Sequence, residues 1–134
     1  MRDLDECSGP WIGWWIQWGR RGHMRLTLNF SNGRIRGSGT DDSGAYEVIG
    51  EYGGESVKMA KAYGTHVVLY DGRWNGASIA GRGEVPFDVI VNTSEFEMWP
   101  EHESVSIEEI LARADEAIER RDLIPTGKRE QATN

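Results

Sequence analysis

Lys61, Tyr63 and His66 come closer than any other residues of this chain to a reactive set. An amine, a phenol and an imidazole gathered at one strand end could pass a proton among them, as a cyclase or isomerase requires. That role needs a neutral Lys61, and no motif sets a cysteine or serine nucleophile beside the trio. Lys61 shares its alternation with Val57, Met59 and Tyr63, so its side chain should point inward. Burying its charge alone costs on the order of several kcal/mol. A ligand carboxylate could answer that charge, as could Asp41 or Asp42, or the flexible stem could carry the amine out to the rim. No residue is assigned a catalytic role.

Other chemistries find less support. The histidines at 23, 66 and 102 lack metal-ligand spacing. Asp41-Asp42-Ser43-Gly44 lacks the remaining ligands and closing glutamate of a calcium loop, and reads as a hairpin turn. The glycine pairs at 37/39 and 81/83 precede no helix, so they are not phosphate loops. Neither a metal nor a cofactor is expected. A single cysteine, Cys7, excludes an internal disulfide framework. The net charge of -7 argues against nonspecific nucleic-acid binding, although the arginines at 20, 21, 25, 34 and 36 could draw a small anion. The apolar run from Trp11 to Trp18 is too short to span a bilayer. The acidic start, Met1 to Cys7, lacks the apolar stretch of a secretory signal, which predicts a cytoplasmic protein with no membrane partner.

The elements that must position these residues follow from periodicity. Met24, Leu26, Leu28 and Phe30 alternate with Arg25, Thr27 and Asn29, the pattern of a half-buried strand. Similar segments at 11–18, 34–40, 45–52, 56–63, 66–71, 77–83 and 94–99 are separated by glycine-rich turns. Short connections make neighbours antiparallel and sequential, and the one long connection, 84–93, could itself be a strand or a lid. The fold class is therefore all-β: an eight-stranded antiparallel up-and-down β-barrel over residues 8–100, with one C-terminal α-helix.

That helix, placed within 104–124, opens on the capping box Ser106-Ile107-Glu108-Glu109 and carries a stripe of Ile107, Ile110, Leu111, Ala114 and Ile118. Residues 125–134 read as a flexible tail. If the tyrosines of strand 45–52 point inward, Ile49, Ala60, Ala62, Val67 and Leu69 form an apolar exterior. Either the helix or a second copy of the chain should cover it, and the helix is the simpler choice. The alternative partner is a second copy of the chain, in a homodimer through the barrel exterior or the helix.

Alternating strands sort the turns into two ends. The end with longer loops and more polar interior residues is the mouth, and there Trp15, Gln17, Tyr46, Lys61, Tyr63, His66 and Arg82 are the candidate ligand contacts. The inward glycines at 37, 39, 50 and 81 could make room for a ligand, or could let strands bend and aromatic rings pack across them. Trp14 shares phase with Ile12 and Ile16, and Trp15 with Gly13 and Gln17, so both faces of the first strand are buried or one meets a partner.

Gly13-Trp14-Trp15 matches the Gly-x-Trp of the first strand in lipocalins and avidins, and Gly33-Arg34-Ile35-Arg36-Gly37 resembles the third strand of the avidin hairpins. As topology the resemblance covers about residues 11–99. It implies a calycin-type barrel that holds a ligand at the mouth. Gln17 stands where avidins bind the biotin ureido group through an asparagine, and Gly22 stands where they carry a serine. The reading is a noncatalytic barrel that binds a small anionic or aromatic molecule. Its rivals are a filled barrel serving as an interaction or oligomerisation module, and a barrel enzyme.

Overall fold

The computed structural model describes residues 2–86, 93–101 and 106–122, the helix side chains through 120. Eight strands run in order: β1 (Gly9–Gln17), β2 (Arg20–Ser31), β3 (Arg34–Asp41), β4 (Gly44–Gly53), β5 (Ser56–Tyr63), β6 (Val67–Trp74), β7 (Ile79–Glu84) and β8 (Thr93–Pro100). Each pairs antiparallel with the next, and β1 also pairs with β8, which closes the barrel in up-and-down order. Among the described residues one α-helix, α1 (Ile107–Asp122), follows. Among the described residues no helix is long and apolar enough to cross a membrane.

Several boundaries differ from expectation. The β1–β2 turn is only Trp18-Gly19, both at positive φ (51° and 75°), so Arg20 to Gly22 belong to β2 and Trp18 leaves β1 for solvent. Two successive positive φ values match the right-handed twist of a two-residue hairpin. Asn32-Gly33 makes the same turn with more suitable residues, at 53° and 77°. Strand β6 continues to Trp74, beyond the expected end at 71, because Trp74 buries its ring in the core. Of the long connection, residues 87–92 lie outside the described residues, as do the expected tail and residues 102–105.

Inward side chains fill the barrel from the end opposite the mouth. Trp11, Phe30, Ile35, Val57, Met59, Trp74, Ile79, Phe96 and Met98 are all buried there. That end is sealed by a short 3-10 turn, Leu4–Glu6, which inserts Leu4 and Cys7 beneath the tryptophans. Backbone carbonyls of the same segment accept from both indoles: Trp11 Nε1 donates to Cys7 O at 2.8 Å and Trp74 Nε1 to Arg2 O at 2.7 Å. Tyr52 donates its hydroxyl to Asp5. No periodicity marks this plug, which lies N-terminal to residue 8 and packs on the barrel core.

The inward glycines mark close backbone approach. A Cβ on Gly37 would sit 2.1 Å from Thr27 O, on Gly50 2.2 Å from Lys58 O, and on Gly81 2.0 Å from Asp71 O. They let neighbouring strands coil tightly, and Gly39 admits the Tyr46 hydroxyl, so they add no ligand space.

The helix lies elsewhere than expected. Ile110, Ala114, Ala117 and Ile118 pack on Ile12, Trp14, Ile16 and Trp99, over the seam of β8, β1 and β2. Arg113 stacks on the Trp99 ring at 4.2 Å, and Arg21 pairs with Asp115. Ser106 Oγ accepts from Glu109 N at 3.1 Å, the expected N-cap. Trp14 and Trp99 give this seam two large indoles, where the β4–β6 face carries the aliphatic Ile49, Val67 and Leu69. The short connection from Pro100 to Ile107 also keeps the helix beside β8. Ile49, Val67 and Leu69 are left exposed at 51%, 38% and 45%. Both faces of β1 are therefore buried: Trp11 and Trp15 toward the interior, Trp14 beneath the helix.

Candidate functional site

Among the described residues, the mouth end keeps a pocket at the rim of the barrel. It measures about 260 Å³ and is lined by Trp15, Gln17, Asp41, Tyr63, His66 and Tyr70 among others. Strand alternation delivers these side chains: Trp15 and Gln17 from β1, Asp41 from β3, Tyr63 from β5 and Tyr70 from β6. Gly22 lets the Trp15 indole lie flat across β2, since a Cβ there would come within 2.3 Å of the ring. The opposite wall is a stack: His66 lies on Tyr63 with ring centroids 4.5 Å apart and planes 8° from parallel. Thr65 Oγ1 holds His66 Nδ1 at 2.9 Å. Tyr63 donates its hydroxyl to Asp41, whose other carboxylate oxygen accepts from Ser43 N at 2.8 Å in the β3–β4 turn.

Below the pocket sits Lys61, 1% exposed. Its amine lies 4.6 Å from the centroid of the Tyr46 ring and 4.8 Å from that of Tyr70. Its hydrogen bond goes to Met24 Sδ at 3.5 Å, a weak acceptor. Among the described residues it makes no ion pair with Asp41 or Asp42 and does not snorkel to the rim. Burial lowers its pKa from 10.5 to about 8, and the Asp41 charge works in the opposite direction. Tyr46 Oη is buried with no hydrogen-bond partner among the described residues. Burial raises the phenols of Tyr46, Tyr63 and Tyr70 above the ordinary tyrosine value, helped for Tyr63 by its bond to Asp41. All three thus stay protonated near neutral pH.

Of the candidate contacts, Trp15, Gln17, Tyr63 and His66 meet at the pocket; Tyr46 and Lys61 do not line it, although Tyr46 packs on Tyr63 with ring centroids 5.2 Å apart and Lys61 rests against Tyr70. Arg82 does not join them. It alternates with inward Gly81 and Gly83, faces out from β7, and lies between Asp71 and Glu95 in register. Tyr70, which both lines the pocket and carries the Lys61 amine, went unremarked in the sequence, as did Met24's part in the site. The signal was available: Val67 and Leu69 outward force Val68 and Tyr70 inward. Among the described residues no group of three His, Cys, Asp or Glu side chains is placed to hold a metal ion.

No protein-family model matches this chain, and no curated protein matches it significantly.

Proposed function

We propose that this protein is a noncatalytic β-barrel that binds a small flat molecule at its mouth. The asymmetry of the barrel's two ends carries the reading: one is sealed by Leu4 and Cys7, and the other keeps a pocket walled by Trp15, Tyr63 and Tyr70. Aromatic walls favour a planar ligand. The pocket's volume, about 260 Å³, falls just below the ~300 Å³ lower end for drug-sized ligands, so one ring with a short substituent is the size class. A calycin-type relation to avidins and lipocalins fits this reading, because Gly13-x-Trp15 leads to Gln17 at the pocket. A cytoplasmic location belongs to the same proposal. The test is a titration of monocyclic aromatic compounds followed by two-dimensional NMR. Saturable shifts at the Trp15 indole, Gln17, Tyr63 and Tyr70 are expected; saturable shifts confined to other surfaces, or none at all, refute the assignment.

A second reading, an interaction module, is favoured by the uncovered β4–β6 face, and its partner would be a second copy of the chain. Register places Arg36, Ile49, Ala60, Leu69 and Glu84 in one row across β3 to β7. About a two-fold axis along β5, Ile49 meets Leu69 of the other copy and Arg36 meets Glu84, an apolar centre with complementary charges at its edges. The next row toward the sealed end, Arg34-Glu51-Lys58-Asp71-Arg82, would oppose like charges about that axis. The contact is therefore centred on the mouth side of Ala60. Light scattering should show a dimer that Leu69→Glu splits, and a monomer at ~100 μM would discard this reading.

A further inference from the structure

Resting on the mouth reading, we infer that the ligand is an acid, whose carboxylate is held by Lys61 Nζ and the Tyr46 hydroxyl. Both groups are buried donors without an adequate acceptor. Among the described residues Lys61 has only the Met24 sulfur, and Tyr46 Oη has no partner. A buried donor left unanswered is costly, so whatever completes this site must bring an acceptor. Water would supply the acceptor but not the countercharge. A carboxylate supplies both.

Neither Lys61 nor Tyr46 lines the pocket itself, but both lie against residues that do, Tyr46 on Tyr63 and Lys61 on Tyr70. Tyr70 is shared: its ring lines the pocket, and the Lys61 amine rests against it at 4.8 Å. Lys61 lies one inward position below Tyr63 on β5, so its unbranched stem can swing the amine toward the pocket floor. Asp41 and Glu84 line the same pocket and oppose an anion. Asp41 already accepts the Tyr63 hydroxyl, and Glu84 is exposed, where solvent screens its charge. A direct contact with an enclosed ammonium outweighs both, because water weakens it least.

The test compares benzoate, benzamide and benzylammonium by calorimetric titration of the full chain at pH 7. Benzoate should bind roughly ten-fold or more tightly than benzamide, the size of effect a charge-assisted hydrogen bond gives. Lys61→Met should bring benzoate down to the affinity of benzamide, and Tyr46→Phe should lower it part of the way. Raising the pH above about 8 deprotonates Lys61 in the free protein, so benzoate affinity should then fall about ten-fold per pH unit. The other titratable groups facing Lys61 are Asp41 and the phenols of Tyr46, Tyr63 and Tyr70, with His66 and Glu84 at the rim. The three phenols are raised by burial and keep their protons through that range. Equal affinity for benzoate and benzamide, or a preference for benzylammonium, overturns the acid assignment and leaves the mouth reading standing. Failure of all three to bind overturns both.

Discussion

Lys61 is enclosed by Met24, Tyr46 and Tyr70, and its lowered pKa measures what that enclosure costs the charged form. The lowering from 10.5 to about 8 corresponds to about 3 kcal/mol at ~1.4 kcal/mol per ten-fold. Contact with two aromatic faces returns about 1 kcal/mol. Methionine has a similar length and fits an apolar channel without a charge to desolvate. Lys61→Met should therefore stabilise the protein by about 2 kcal/mol at pH 7. The pH dependence fixes the sign. Below pH 8 both folded and unfolded chains carry the proton, and the wild-type penalty is complete. Between about 8 and 10.5 the unfolded chain binds more protons than the folded one, so wild-type stability rises and the variant's advantage shrinks. Urea unfolding followed by tryptophan fluorescence, repeated from pH 6.5 to 10, measures the difference. A less stable Lys61→Met at pH 7, or a gap that stays constant over that range, would refute the account of the buried amine.

Two further perturbations probe the frame. Gly13→Ala should cost about 2 kcal/mol or more, because its Cβ would fall 2.2 Å from Glu97 O and 2.7 Å from Met98 Cα across the β1–β8 seam. Hydrogen exchange should then quicken first along β1 and β8, and unchanged protection there would mean the barrel closes otherwise. Leu4→Ala should lower stability by about 2–4 kcal/mol through the sealed end while leaving the Trp15 and Tyr63 resonances in place. A loss below about 0.5 kcal/mol would show that the plug does not seal the core.

Much of the barrel was legible because strand alternation is a local signal. Met24 to Phe30 on β2 and Tyr46 to Tyr52 on β4 follow it faithfully, and the inward position of Lys61 came from the same pattern. Turn chemistry at Asn32-Gly33 was equally local, whereas Trp18-Gly19 was not, since tryptophan at positive φ is rare and tertiary closure imposes it. The candidate site was legible in part. Trp15, Gln17, Tyr63 and His66 converge as their strand positions require. Arg82 lies near the mouth along β7, but its alternation with inward Gly81 and Gly83 turns it to the outer face. The Leu4–Glu6 plug had no repeating pattern to announce it.

By itself the sequence determined the number of strands, their order, the helix cap and which residue types turn inward, because each rests on neighbours a few positions apart. Tertiary structure alone decided which of two apolar faces the helix covers, which end of the barrel is stoppered, and that Lys61 makes no ion pair among the described residues. Those outcomes depend on competition between distant surfaces for the same contacts. Area and reach settle such a competition, and neither is written in any single stretch of chain.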